Sequence, residues 1–165
     1  MMRRLLVFIA LGVPGAAAAQ GAPVTPYTRY ATAIATKADS VVAYLTSQVG
    51  NLTDTAAVET LANGATRMQR LTSEFTAYAP PSDLAAVHQG LAAALNLATS
   101  KANHATTLLQ TAMNTSNSEE QRTSAAESAQ RELNDLQTAI NSYQEARGRA
   151  ARALEQHGAP LPVRN

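Results

Sequence analysis

Three histidines, His88, His104 and His157, are the side chains of this 165-residue chain best suited to ligate a metal or move a proton near neutral pH. A metal or haem site needs its ligands within a few ångströms of one another, so spacing tests them. His88 and His104 stand 16 residues apart, which on one helix is about 24 Å of rise and about 160° of rotation. His104 then points to solvent and His88 sits at the edge of an apolar face. Folding the chain back about the polar stretch near Ser116 brings the level of His88 to Tyr143–Arg147. That level is roughly 18 Å along the helix from His157. The histidines do not converge, so no metal site is expected.

The chain contains no cysteine. An iron–sulfur cluster, a C-x-x-C-H haem attachment, a disulfide framework and a lipoprotein anchor are therefore closed to it. No methionine and histidine are placed to ligate a b-type haem, and no cofactor is expected. The serines and threonines lie in no G-x-S-x-G elbow or S-x-x-K arrangement, and no glycine loop suits a phosphate. Glu74 has no second carboxylate opposite it for acid–base work. These observations point away from an enzyme.

The same folding-back, taken through Pro80-Pro81 and Gly50-Asn51, gathers a different set of residues. At one end of the molecule it brings together Tyr27, Tyr30, Glu74, Phe75, Tyr78, His88, Tyr143 and Arg147, including four of the five tyrosines. In one reading, large amphipathic side chains fill the end of a tapering core, with His88 at its boundary and Arg147 paired with Glu74 or Glu145. In the other, the layer lines a small pocket where Arg147 and the phenols orient an anionic or aromatic ligand. Aromatic stripes at helical spacing belong more often to cores, and the first reading is preferred. Arg147, Arg149 and Arg152 are otherwise accounted for by the negative end of the last helix.

The elements that must position these residues follow from the apolar period of three and four. The first segment, about 26–49, starts at Thr25-Pro26 with threonine as cap, carries Tyr27, Ala31, Ile34, Ala38, Val41 and Leu45, and ends at Gly50-Asn51. The second, about 54–79, starts near Thr53-Asp54 and carries Val58, Leu61, Ala65, Met68, Leu71, Phe75 and Tyr78 until the double proline breaks it. Ser82 is expected to cap the third, about 83–113, with Asp83 in its first turn and a seam of Leu84, Val87, Leu91, Leu95, Ala98, Ala102, Ala105, Leu109 and Ala112.

A capping box, Ser118-Glu119-Glu120-Gln121, opens the fourth, about 119–156. Its seam is Ala126, Ala129, Leu133, Leu136, Ile140, Tyr143, Arg147, Ala150 and Leu154, and Gly158 and Pro160 stop it. Four such segments joined by short loops predict an all-α, antiparallel up-and-down four-helix bundle. A pair of helical hairpins that completes its core by dimerising is the other arrangement the pattern permits.

The N-terminus reads as a secretory signal over residues 1–19. Arg3-Arg4 precede the short apolar run Leu5–Val13, and alanines precede a cleavage point between Ala19 and Gln20. That run falls short of a membrane span, and no later stretch approaches one. Residues 20–165 are then a single exported domain, periplasmic or extracellular. Loss of Arg3 and Arg4 leaves 11 basic against 12 acidic residues, a balance that argues against nucleic acid. The sequence therefore predicts a non-catalytic exported bundle that acts through a protein partner, a second copy of the chain being one candidate. The alternative is a small-ligand-binding module built on the tyrosine-rich layer.

Overall fold

The computed structural model describes residues 24–48 and 55–157. Within them lie four α-helices: α1 (Val24–Gln48), α2 (Thr55–Ala77), α3 (Ala85–Met113) and α4 (Glu119–Gln156). A 310 turn, Ser82–Leu84, leads into α3, and the described residues contain no strand. The signal segment 1–19, the Gly50-Asn51 and Thr53-Asp54 boundaries, and the Gly158 and Pro160 stop lie outside the described residues.

The predicted seams of α1 and α2 are buried along their length, with Tyr78 alone half-buried. On α3, Val87, Leu109 and Ala112 at the flanks of the seam are half-buried and the rest are enclosed. On α4 the seam holds from Ala129 to Leu154 except for half-buried Arg147. Ala126 departs from expectation: it is exposed, and its neighbour Ala125 is buried. Ala126 lies on the rim of a groove beside Ala112, whereas Ala125 takes the enclosed place.

Two expected caps are corrected. α1 already includes Val24 and Thr25, so Thr25 is not its cap; Pro26 falls in the first turn, where its missing N–H costs nothing. Ser82 does not cap α3 either. The backbone leaves Pro81 extended and tightens into the 310 turn, in which the Leu84 N–H donates to the Pro81 carbonyl at 3.0 Å. The α-helix proper then begins after Leu84, with no side-chain cap. The box at Ser118 forms as its sequence requires. Ser118 Oγ accepts from the Gln121 N–H at 3.2 Å, and Gln121 Oε1 accepts from the Ser118 N–H at 3.0 Å.

α3 and α4 share the most extensive contact among the described helices and run antiparallel, since His157 after α4 lies beside Asp83 before α3 while Lys101 meets Asp135. Alanines make this possible: Ala98, Ala102 and Ala105 on α3, and Ala129, Ala139, Ala146 and Ala150 on α4, are all buried. Polar contacts fix the register of the pair. Lys101 Nζ meets Asp135 at 2.7 Å and Glu132 at 3.1 Å, His104 Nδ1 meets Glu132 at 3.1 Å, and His157 lies 3.5 Å from Asp83. These hydrogen bonds to Asp135, then Glu132, raise the Lys101 pKa. Between α2 and α3 the buried hydroxyls of Thr72 and Thr99 lie 3.1 Å apart, and Thr99 also donates to the Leu95 carbonyl.

α1 lies closely against α2 and approaches α4 only locally. Gly64 on α2 makes room for α1. A methyl group there would meet Leu45 Cδ2 at 2.6 Å and Leu45 Cγ at 3.2 Å, and Leu45 is fully buried. No described helix is long and apolar enough to cross a membrane.

Candidate functional site

The apolar stripes of α1, α2 and α3 converge where α2 ends and α3 begins, and there the structure brings together five of the eight residues of the predicted layer. Tyr30 stacks on Tyr78, with centroids 4.2 Å apart and planes 17° apart, and Tyr27 lies tilted against Tyr78 at 5.9 Å. Phe75 stacks on His88 at 4.2 Å and 27°. Tyr27 also lies tilted against His88, with centroids 5.9 Å apart, and its hydroxyl lies 3.1 Å from His88 Nδ1. The Tyr30 hydroxyl donates to the backbone carbonyl of Glu74.

His88 is buried rather than at the boundary. Straight-helix geometry placed it at an edge, but rings from two neighbouring helices close over it. Burial lowers the His88 pKa, and burial followed by the nearby Tyr78 pushes the Tyr27 phenol up to about 12. Tyr30 is raised by burial, then by Glu74 and Tyr78. The Tyr27 and His88 shifts favour the same arrangement, a protonated phenol donating to the Nδ1 of a neutral imidazole. Tyr27, Phe75 and His88 are buried.

The other three residues are placed differently. The Glu74 carboxylate is part-exposed, 3.9 Å from Arg70, and it is its backbone carbonyl that is hydrogen-bonded to the layer. Tyr143 and Arg147 turn toward the middle of α1. The Tyr143 hydroxyl donates to Asp39 Oδ1 at 3.0 Å and lies 3.4 Å from the Ala35 carbonyl, and Arg147 Nε pairs with Asp39 Oδ2 at 2.6 Å. Arg147 thus pairs with neither Glu74 nor Glu145; the latter lies 3.9 Å from Arg149. Asp39 is roughly 18 Å along α1 from Tyr27. Equal rise along straight neighbours ignores crossing angles, and α1 is the helix whose register against α4 that assumption misjudges.

Asp39 is the residue that sequence reasoning missed. It sits beside the seam residue Ala38, where an acid reads as part of a solvated face. Its side chain is only 15% exposed and that of Arg147 only 13%, so the pair is largely withdrawn from water. An acid next to a seam, matched by a base inside the facing seam, is the signal that could have joined them.

Chemically, the aromatic layer holds one imidazole capable of proton transfer, and that imidazole is covered by rings and bonded to a phenol. The Asp39–Arg147–Tyr143 group ties α1 to α4. Among the described residues no three histidine or acidic side chains gather so as to hold a metal ion. No family model, no curated protein and no solved structure matches this chain.

Proposed function

We propose that this is an exported, non-catalytic protein whose helices form an antiparallel up-and-down four-helix bundle and which acts through protein contacts on its outer surface. The antiparallel pairing of α3 with α4, the α2–α3 contact at Thr72–Thr99 and the α1–α4 tie at Asp39–Arg147 support the bundle. The signal pattern in residues 1–19 supports export.

One observation carries the functional reading: the inner rings of the tyrosine-rich layer are buried, and the hydrogen bonds of Tyr27, His88 and Tyr30 run to one another or to backbone. The Tyr27 phenol and the His88 imidazole share a hydrogen bond, the Tyr30 hydroxyl is taken by a backbone carbonyl, and Tyr27, Phe75 and His88 are withdrawn from solvent. Recognition then falls to the exterior, where Leu97, 46% exposed, and Tyr44, 36% exposed, are the large apolar side chains open to water among the described residues. A partner that covered either side chain would gain apolar contact area there.

Photo-crosslinking from position 97 in the exporting host, paired with native mass spectrometry of the purified protein, tests the reading. A discrete protein adduct, together with a monomer or oligomer mass free of any organic molecule, is expected. An organic molecule retained by the protein and lost in Phe75→Leu would overturn it in favour of a ligand held between the rings.

A further inference from the structure

The groove between α1 and α2 carries a feature that neither the apolar seams nor the aromatic layer explains. It is an open groove of about 510 Å³, lined by Lys37, Ser40 and Val41 of α1 and by Arg67, Arg70 and Leu71 of α2. Three cations and a hydroxyl thus surround a floor of two buried aliphatic side chains, and no carboxylate lines the groove. The chain as a whole is nearly neutral, with 13 basic and 12 acidic residues, so this concentration does not reflect general basicity.

Among the described residues, no carboxylate pairs with Lys37 or Arg67. Arg70 meets Glu74 only at 3.9 Å, in a pair whose side chains are 73% and 44% exposed. Such an exposed pair is worth little and opens readily.

We propose that this groove binds a phosphate-bearing ligand. Guanidinium groups present planar forks of N–H donors that match the oxygens of a phosphate, and a lysine adds a mobile point charge. Arg67 and Arg70 stand one turn apart on the same side of α2, across from Lys37 and Ser40, so an anion seated between them meets donors from both walls. The aliphatic floor keeps water from one side and strengthens the field in the groove. Its volume falls in the range usual for small-ligand sites. A free phosphate and the headgroup of an acidic lipid share this chemistry; in the lipid case Val41 and Leu71 would lie against the first methylenes of the chain.

The test uses the mature protein at low ionic strength with two probes: inorganic pyrophosphate by calorimetry, and co-sedimentation with phosphatidylglycerol vesicles against phosphatidylcholine vesicles. Saturable binding to pyrophosphate assigns a soluble source, and binding to phosphatidylglycerol vesicles alone assigns a lipid headgroup. In either case the double variant Arg67→Gln/Arg70→Gln should bind at least about tenfold more weakly. Its circular dichroism and melting should be unchanged, since both side chains are exposed. Arg149→Gln, which removes an exposed cation on α4, should bind as the parent does. Absence of saturable binding to both probes, or an equal loss in Arg149→Gln, overturns the proposal.

Discussion

The aromatic end of the molecule and the α3–α4 seam bury their helices by opposite means. At the aromatic end a few large rings from three helices pack together, and the tyrosines and His88 carry polar groups with them that must be hydrogen-bonded as well as packed. Along the seam many small methyl groups let two backbones approach, and the polar work moves to the margin, at Lys101, Glu132 and Asp135. Energy is concentrated in the first region and spread thinly through the second. Truncation should therefore injure the first, and enlargement the second.

The largest effect is expected from Phe75→Ala. Phe75 is fully buried and stacked on His88, so its removal opens a cavity and strips the imidazole of a neighbour. A loss of about 3–5 kcal/mol is expected in chemical denaturation. A loss under about 1 kcal/mol would show that the rings do not share a close-packed layer. The matching change in the seam is Ala102→Leu, at a fully buried position. Extra methylenes there must part α3 from its neighbours, at a cost of about 1–3 kcal/mol by the same measurement. If Ala102→Leu were neutral, the close approach of α3 and α4 would not depend on alanine.

The two regions also differ in how far the sequence exposed them. The seam was legible because the apolar period alone selects Leu133, Leu136, Ile140 and Leu95, and small residues between them read directly as close approach. The capping box at Ser118 was legible for a similar reason: it is a local pattern, closed within four residues. The aromatic layer was half legible. Turn positions set the levels of Tyr27, Tyr30, Phe75, Tyr78 and His88, and these meet. Tyr143 and Arg147 share the level of His88 but lean elsewhere, because crossing angle and side-chain direction are fixed by packing and leave no periodic mark. Asp39 escaped for that reason, and Ser82 because the double proline imposes a 310 turn that a cap preference does not anticipate.

Acid provides a sharper probe of the aromatic end. Because burial lowers the His88 pKa below the ordinary 6.5, the folded protein refuses a proton that the unfolded chain accepts. Stability is therefore full above about pH 6.5 and declines as pH falls below it, until the folded-state value is passed. Denaturation midpoints between pH 8 and 4 should show this slope, and His88→Gln should flatten it. The other two histidines lie against carboxylates, His104 beside Glu132 and His157 beside Asp83. A slope that survives His88→Gln unchanged would mean that the ring layer does not set the pH response.

The smallest expected effect comes from the two helical glycines that the comparison sets against each other. Alanine is favoured over glycine inside a helix by about 1 kcal/mol, so each substitution starts from the same gain. At Gly90, near the aromatic end, the added methyl would meet nothing within 4 Å. Gly90→Ala should accordingly raise stability by about 1 kcal/mol, read as a higher denaturation midpoint. At Gly64 the same methyl would lie 2.6 Å from Leu45 Cδ2, and Leu45 has no exposed side on which to retreat. Gly64→Ala should lose that gain to displacement of Leu45 and fall below the parent in stability. Equal stabilisation by both would mean that α1 and α2 can separate freely at Gly64, and that close approach through small residues is confined to α3 and α4.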